Sequence, residues 1–334
     1  MGLLEQSGAY DERFWATAVE QGWTAIAIAE DHGGIGLALM ELGLVAQATG
    51  AATAGAPFLT GNHGVAHVLQ AAASDALKER WLPALAAGEV TACCAFGDGP
   101  SPVAPRPGVR LTAGGLEGVA RWTTGGQVVD AALVLARADN GEDVLALCEL
   151  AGVNRVPLES SDNTRLYADL NFAGTPAEAI ATGNGARRLA LAALSRMALV
   201  TAWEQLGGAE ALLYTGRDFA NSRKAFGQPI GAFQSVKHRI AELYGLVEIA
   251  RANCLHAASR EGEADFLRAV AAARLSATEA YDTAARDTMQ IHGGIGVTWE
   301  SGLHLHMRRA RSLAVEQGNM VFWEDLLTDE LSRA

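Results

Sequence analysis

Two glycine-containing segments in the second half of the chain are its most informative stretches. The first, RKAFGQPIGAFQ, occupies residues 223–234, and the second, QIHGGIG, occupies residues 290–296. In the first, an arginine and an aromatic ring flank a Gly-Pro break that opens a helix, an arrangement suited to binding phosphate and stacking on a ring. In the second, clustered glycines end a long helical pattern and would let a ligand approach the backbone closely. Each segment alone has an ordinary alternative: a helix–helix turn with a solvated arginine, or a helix C-cap.

The regions around these segments divide the chain into three zones. Residues 1–91 have mainly helical patterns. Residues 92–183 contain strand-length apolar runs separated by turn residues, which is typical of a small antiparallel barrel or sandwich. Residues 184–334 return to long helical patterns, including apolar residues at steps of three and four from Phe233 to Cys254. We therefore predict an α+β protein with three domains at these boundaries, the last of them a helical bundle with part of its apolar face at a subunit interface.

Composition excludes several classes of function. The 334 residues are 49% hydrophobic, enough to build more than one core, and the formal net charge of −12 argues against nucleic acid as a partner. No apolar run is long enough to span a bilayer, and the N-terminal residues carry no basic region typical of a secretory signal. The four cysteines lack metal-binding spacing. We expect a cytoplasmic protein with reduced thiols and no membrane span.

Acidic and histidine residues do not predict a metal site. The segment EDHGGIGL, residues 30–37, contains two acids and a histidine but no helical i, i+4 ligand pair, so a structural loop is the favoured interpretation. His304 and His306 are two residues apart, which suits neither one helix face nor a zinc helix motif. No nucleophile elbow or P-loop is present.

Taken together, residues 223–234 and 290–296 resemble the acyl-CoA dehydrogenase family, and the turn at residues 30–36 fits that family as well. The resemblance implies a helical N-terminal domain, a middle antiparallel β-barrel and a C-terminal four-helix bundle, with FAD as the cofactor. It also implies that six residues contact the FAD diphosphate and adenine side, in a flavin seated mainly in the neighbouring subunit: Arg223, Phe226, Gln234, Gln290, Gly293 and Gly294. Trp122 and Thr124 belong to a partly kept Trp-Ile-Thr segment and are implied to contact the flavin too.

The reaction implied by the resemblance is α,β-dehydrogenation of an acyl-CoA thioester to a 2-enoyl-CoA, with electrons leaving to an electron-transfer flavoprotein. The family also implies a homo- or hetero-oligomer, either a dimer or a tetramer.

The catalytic centre departs from the family pattern. The family usually places a glutamate base at the position that corresponds to Gln317, and an amide cannot remove a proton. Glu316 is one residue early and is the candidate substitute. The other position that family members use for the base falls near Met197, where no residue can act as one. The family segment Thr-Glu-Pro-x-Ala-Gly-Ser is replaced here by residues 96–101.

These departures leave two main hypotheses. In one, the chain is a dehydrogenase with Glu316 as its base. In the other, it is a catalytically deficient subunit of a heteromeric acyl-CoA dehydrogenase, similar to bacterial enzymes that act on steroid side chains, and it completes its partner's FAD site. A third hypothesis, a scaffold without flavin, is disfavoured because the two glycine-containing segments are retained.

Overall fold

A computed structural model describes residues 8–54, 57–96 and 107–333 of the chain. The α-helices are α1 (Glu12–Glu20), α2 (Leu39–Ala51), α3 (Phe58–Ala72), α4 (Asp75–Ala86), α5 (Gly183–Ser222), α6 (Gln234–Ser259), α7 (Phe266–His292), α8 (Leu303–Leu313) and α9 (Met320–Arg333). The strands are β1 (Ala92–Ala95), β2 (Val109–Thr112), β3 (Gly115–Thr123), β4 (Ala131–Ala138), β5 (Asp143–Glu149), β6 (Asn154–Pro157), β7 (Ala168–Thr175), β8 (Glu178–Thr182), β9 (Lys224–Ala225) and β10 (Gln228–Pro229). This order confirms the predicted sequence of helical, strand-rich and helical zones.

Local sequence signals set several of the helix ends. The Asp11 side chain accepts a hydrogen bond from the Phe14 N–H at 2.9 Å, which satisfies one of the unpaired donors at the start of α1. Gly22, one residue beyond the C-cap of α1, has a φ of 72° that few residues other than glycine adopt. Ser74 caps α4 by accepting from the Leu77 N–H. Capping residues and glycine therefore mark these helix ends in the sequence.

The chain forms two compact units. The sheet unit contains the described residues of Met1–Leu42, Gly55–Ala198 and Glu316–Phe322, and the helical unit contains those of Gly43–Ala54, Leu199–Val315 and Trp323–Ala334. Among the described residues, no helix combines the length and apolarity needed to cross a lipid bilayer.

The sheet of the sheet unit has the strand order β6-β7-β3-β2-β4-β5-β8, and β1 pairs with β4 beside this path. Most pairings are antiparallel, as predicted, but β4 pairs in parallel with both β1 and β2. Strands β2 and β4 run in the same direction because the chain reverses at β3 and reverses again at β4. The pairings between the described strands form a path with two ends rather than a closed barrel.

Helices α3 and α4 and the first part of α5 share one apolar core with the sheet in this unit. Leu69 and Leu82 from the helices, and Leu133 and Leu145 from β4 and β5, are all completely buried in this cluster. Strands β4 and β5 are buried along nearly their whole length, so they read as continuous apolar runs rather than alternating ones.

In the helical unit, glycines let α2 and α5 approach each other closely. A Cβ atom added at Gly50 would lie 1.9 Å from the Glu204 carbonyl oxygen, and one at Gly207 would lie 1.9 Å from the Gln47 carbonyl oxygen. Any side chain at these two positions would collide with backbone. The close approach therefore depends on glycine at both.

Helices α6 and α7 pack against each other in the same unit. The predicted stripe on α6 is buried at Leu243, Val247, Ala250 and Cys254, whereas its first residues, beginning with Phe233, are only half-buried. The stripe therefore packs inside the chain over most of its length, and its N-terminal end is left partly open to solvent.

A buried ion pair ties α5 to α8 in the helical unit. Arg309 donates to Glu204 at 2.7 Å, and the two side chains are 2% and 8% exposed. Arg309 also donates to the Ala54 carbonyl oxygen at 2.8 Å. Loss of one partner from such a pair leaves a charge without compensation in a medium of low dielectric constant.

We predict that Arg309→Met lowers the free energy of unfolding by about 3–5 kcal/mol, because it removes the positive charge that compensates the buried Glu204 carboxylate. The matched control is Arg110→Met, which breaks the exposed Arg110–Asp139 pair at 2.9 Å and should cost less than about 1 kcal/mol. Urea denaturation followed by circular dichroism measures both. Equal losses of unfolding free energy in the two variants would contradict the structural importance of the buried Arg309–Glu204 pair.

Candidate functional site

The first glycine-containing segment forms a tight hairpin that presents a phenyl ring to solvent. Strands β9 and β10 pair in antiparallel register, and the two residues between them, Phe226 and Gly227, have φ angles of 53° and 83°. Both angles are left-handed, as two-residue hairpin loops require, but such an angle is strained for phenylalanine. The Phe226 side chain is 96% exposed and meets the ring of Phe233 edge-on at 6.2 Å.

Arg223 lies at the base of this hairpin, directly after α5. Its backbone N–H donates to the Phe219 carbonyl oxygen and its carbonyl oxygen accepts from the Ile230 N–H, each at 2.8 Å. The backbone is therefore held from both sides while the side chain is exposed. A guanidinium presented in this way can donate to a phosphate group.

The N-terminus of α6 lies four residues beyond the hairpin. Its N-cap, Phe233, has extended backbone and makes no side-chain hydrogen bond to the helix. Gln234, the first residue of α6, is exposed. The Val236 and Lys237 N–H groups donate to the Phe233 carbonyl oxygen, so the Gln234 and Ser235 N–H groups are the ones that could meet an anionic ligand, which the partial positive charge of the helix N-terminus also favours.

The second glycine-containing segment ends α7 and leaves backbone open to solvent. Gly293 has φ 61° and ψ −138°, a combination that essentially only glycine adopts. Gly293 and Gly294 are exposed, and a Cβ atom added at either would meet nothing within 4 Å. Gln290 is exposed in the last turn of α7. An extended ligand can therefore lie directly against this backbone.

Both segments lie at the same end of the helical unit. The rings of Phe219 on α5 and His292 on α7 stack with centroids 3.9 Å apart. Arg239 on α6 and Asp287 on α7 form an ion pair at 2.5 Å. The end of α5, the start of α6 and the end of α7 are thus held together, and with them the six residues that the family resemblance assigned to FAD.

Trp122 and Thr124 belong to the sheet unit, at the end of β3. The pairing of β3 with β7 shifts register between Ala120 and Thr123, and Trp122 within this bulge has a left-handed φ of 51°. The Trp122 N–H donates to the Asp169 carboxylate at 3.0 Å, and its indole ring is 49% exposed. A bulge re-aims a side chain away from the normal alternation of a strand, and here it presents a flat aromatic face to solvent.

Glu316 is buried in the sheet unit and takes part in a bidentate ion pair. Its two carboxylate oxygens accept from Nε and Nη2 of Arg165, each at 2.7 Å, and the two side chains are only 2–3% exposed. The Tyr167 hydroxyl donates to the same carboxylate. Burial, followed by the Glu316 charge, holds the pKa of Tyr167 well above its ordinary value, so the hydroxyl keeps its proton and donates.

This geometry argues against the prediction that Glu316 is the catalytic base. A base must reach the proton it removes, whereas the oxygens of Glu316 face Arg165 and Tyr167 inside the protein. Arg165 and Tyr167 had not been singled out from the sequence.

The two family positions for a base carry no carboxylate. Gln317 is half-buried with a left-handed φ of 52°. Met197 on α5 is buried, and its sulfur would lie 2.7 Å from a Cβ atom added at Gly64 on α3, so its side chain fills the space there. The neighbouring Ser195 hydroxyl donates to the Leu191 carbonyl oxygen of its own helix. Of the replaced segment at residues 96–101, all but Phe96 lie outside the described residues.

Comparison with known proteins identifies the class. The acyl-CoA dehydrogenase N-terminal domain model matches residues 3–89, and the C-terminal domain model matches residues 183–320. The chain is 32% identical over 306 residues to the acyl-CoA dehydrogenase IpdE2 of Mycobacterium tuberculosis, which covers 91% of this chain and 82% of that protein. The chain therefore belongs to the acyl-CoA dehydrogenase family, flavoprotein oxidoreductases that act on CH–CH groups.

Solved structures agree with this family. The ChsE4–ChsE5 complex from Mycobacterium tuberculosis contains a chain with a TM-score of 0.88 and 26% identity, which covers 100% of this chain and 91% of its own. Butyryl-CoA dehydrogenase from Megasphaera elsdenii, at 21% identity and a TM-score of 0.87, covers 99% of this chain and 93% of its own. The second likeness concerns the fold alone.

The buried carboxylate generates a stability prediction. Glu316→Gln keeps the shape of the side chain but leaves the Arg165 guanidinium buried without its counter-charge. We expect the free energy of unfolding to fall by about 3–5 kcal/mol in urea denaturation. A loss below about 1 kcal/mol would show instead that Glu316 is not a structural partner of Arg165.

Replacement of the strained residue at the hairpin tip should not destabilise the chain. Phe226→Asn replaces an exposed phenylalanine by a residue that tolerates a left-handed φ, so the free energy of unfolding should stay level or rise by up to about 1 kcal/mol. The same replacement at Phe172, which is 4% exposed on β7, should cost several kcal/mol, on the order of 3–5. A large loss in Phe226→Asn would mean that the ring serves the fold rather than a ligand or partner.

Proposed function

We propose that this chain is an FAD-binding subunit of an acyl-CoA dehydrogenase, that it lacks a catalytic base of its own, and that it completes the flavin site of an unlike partner subunit. The observation that carries this proposal is the burial of Glu316 in its ion pair with Arg165, next to an amide at Gln317. Among the described residues, the two family positions for the base offer no accessible carboxylate, so α-proton removal would need one from elsewhere.

The open end of the helical unit fits the phosphate and adenine parts of FAD. Arg223 and the first N–H groups of α6 would donate to the diphosphate, and the bare backbone at Gly293 and Gly294 would let it lie close. The Phe226 ring, held out by its hairpin, would stack on a flat ring of the ligand. FAD supplies the hydride acceptor for conversion of an acyl-CoA to a 2-enoyl-CoA.

The exposure of these residues favours a flavin shared between subunits. A phenyl ring that is 96% exposed on a strained loop is costly for an isolated chain, and a neighbouring subunit would offset that cost by covering it. Every centre of a homo-oligomer would have the same buried Glu316, so the base would have to come from an unlike subunit. The similarity to a chain of the two-protein ChsE4–ChsE5 complex supports this assembly.

The substrate class that follows is an acyl-CoA thioester, and an electron-transfer flavoprotein would take the electrons. Within this assembly, Trp122 and Thr124 would border flavin from the sheet unit. The exposed face of Trp122 and its position in a bulge support that role.

The proposal predicts how flavin binding responds to Arg223→Ala. One charge-assisted phosphate contact is worth roughly 1.5–3 kcal/mol, so FAD should bind about ten- to a hundredfold more weakly in the complex formed with the co-expressed partner. The ratio of flavin to protein absorbance during FAD titration measures this. Arg110→Ala, which removes an exposed arginine of the sheet unit, should leave the ratio unchanged.

Catalysis by the isolated chain is the decisive control. Addition of acyl-CoA should leave the flavin absorbance of the isolated chain unchanged. The same addition should bleach the flavin of the complex with the partner. Bleaching of the isolated chain that Glu316→Gln abolishes would return the role of base to Glu316 and overturn the proposal.

A further inference from the structure

The Arg165–Glu316 ion pair lies directly behind the turn that carries Trp122. The Tyr167 hydroxyl donates to Glu316, and the Tyr167 ring meets the indole of Trp122 edge-on, with centroids 5.7 Å apart. A continuous line of contacts therefore runs from Arg165 through Glu316 and Tyr167 to Trp122.

Backbone hydrogen bonds connect the same residues to the rest of the turn. The Gly125 N–H donates to the Arg165 carbonyl oxygen at 3.0 Å, and the Gln127 N–H donates to the Leu166 carbonyl oxygen at 3.2 Å. The Gln127 side chain donates to the Tyr167 carbonyl oxygen at 2.9 Å. Three hydrogen bonds thus hold residues 125–127 against residues 165–167.

The turn needs such support because its backbone is strained. Trp122 has a left-handed φ of 51°. Leu166, two residues before β7, has a left-handed φ of 55°. Residues in this region keep their conformation only where their surroundings hold them there. The Trp122 N–H donates to Asp169, and behind the turn Arg165 is held by the charged, bidentate contact with Glu316, which lies 151 residues further along the chain.

We propose that Glu316 is a positioning residue: through Arg165 and Tyr167 it fixes the turn of residues 122–127 and sets the orientation of the Trp122 indole toward flavin. The flavin part of this inference rests on the proposed function, whereas the positioning of the indole does not. In this proposal the Glu316 carboxylate orients Trp122 and does not react with the substrate.

The test follows the Trp122 indole N–H signal in nitrogen–proton correlation spectra of the full chain without flavin. Trp122→Phe identifies the signal among those of the seven tryptophans. Glu316→Gln and Tyr167→Phe should each shift or broaden the Trp122 signal while the other indole signals stay in place. The double variant should add nothing further, because both changes interrupt the same line of contacts.

Glu204→Gln is the matched control. It also removes the charge of a buried carboxylate paired with arginine, at 2.7 Å from Arg309, but in the helical unit. It should destabilise the chain to a similar extent and leave the Trp122 signal unchanged. An unmoved Trp122 signal in both Glu316→Gln and Tyr167→Phe would overturn the proposal, and so would equal movement in Glu204→Gln. If Glu316→Gln does not fold, Tyr167→Phe carries the test, since it removes one hydroxyl group.

The flavin part has its own measurement in the complex loaded with FAD. Trp122→Phe and Glu316→Gln should both change the visible circular dichroism of bound flavin, and Glu204→Gln should not. A band unaffected by Trp122→Phe would overturn the link to flavin. Failure of the proposed function looks different, as absence of flavin from the wild-type complex or bleaching of the isolated chain by acyl-CoA.

Discussion

A guanidinium enclosed in protein must have its charge compensated, and Arg165 has Glu316 as its partner in this chain. That requirement fixes the segment after α8 against the turn before β7, and the backbone of the same turn holds Gly125 and Gln127 in place. The Tyr167 hydroxyl donates to Glu316, and the Tyr167 ring contacts the indole of Trp122 edge-on. A buried ion pair that contributes little net stability can still determine which single conformation the surrounding loops adopt.

In the segment after α8, the carboxylate of Glu316 and the amide of Gln317 are adjacent but have different surroundings. Family members place glutamate where this chain has Gln317, and here the carboxylate is at Glu316, turned into the protein. Adjacent residues in a turn point in different directions, so the Glu316 charge is buried against Arg165 whereas the Gln317 side chain is half-buried. Family membership is unaffected, because the fold depends on packing and on the glycine-containing segments and not on the base.

Local pattern predicted the elements of the fold but not their pairing. The zone predicted to be strand-rich, residues 92–183, contains β1 to β8, and the zone predicted to be helical after it contains α5 to α9. The parallel pairing of β4 depends on the order of distant strands, which apolar periodicity does not encode. The glycine-containing segments were found because glycine geometry is a local property, whereas the Arg165–Glu316 pair joins residues 151 positions apart and has no local signature.

An exposed phenyl ring can associate with apolar groups of other molecules, and Phe226 exposes such a ring at the tip of its hairpin. Before anything covers it, this end of the helical unit is open to chance association with other newly made proteins and to the chaperones that bind exposed apolar groups. A copy of the chain whose ring stays uncovered therefore keeps a surface by which cellular quality control can recognise it.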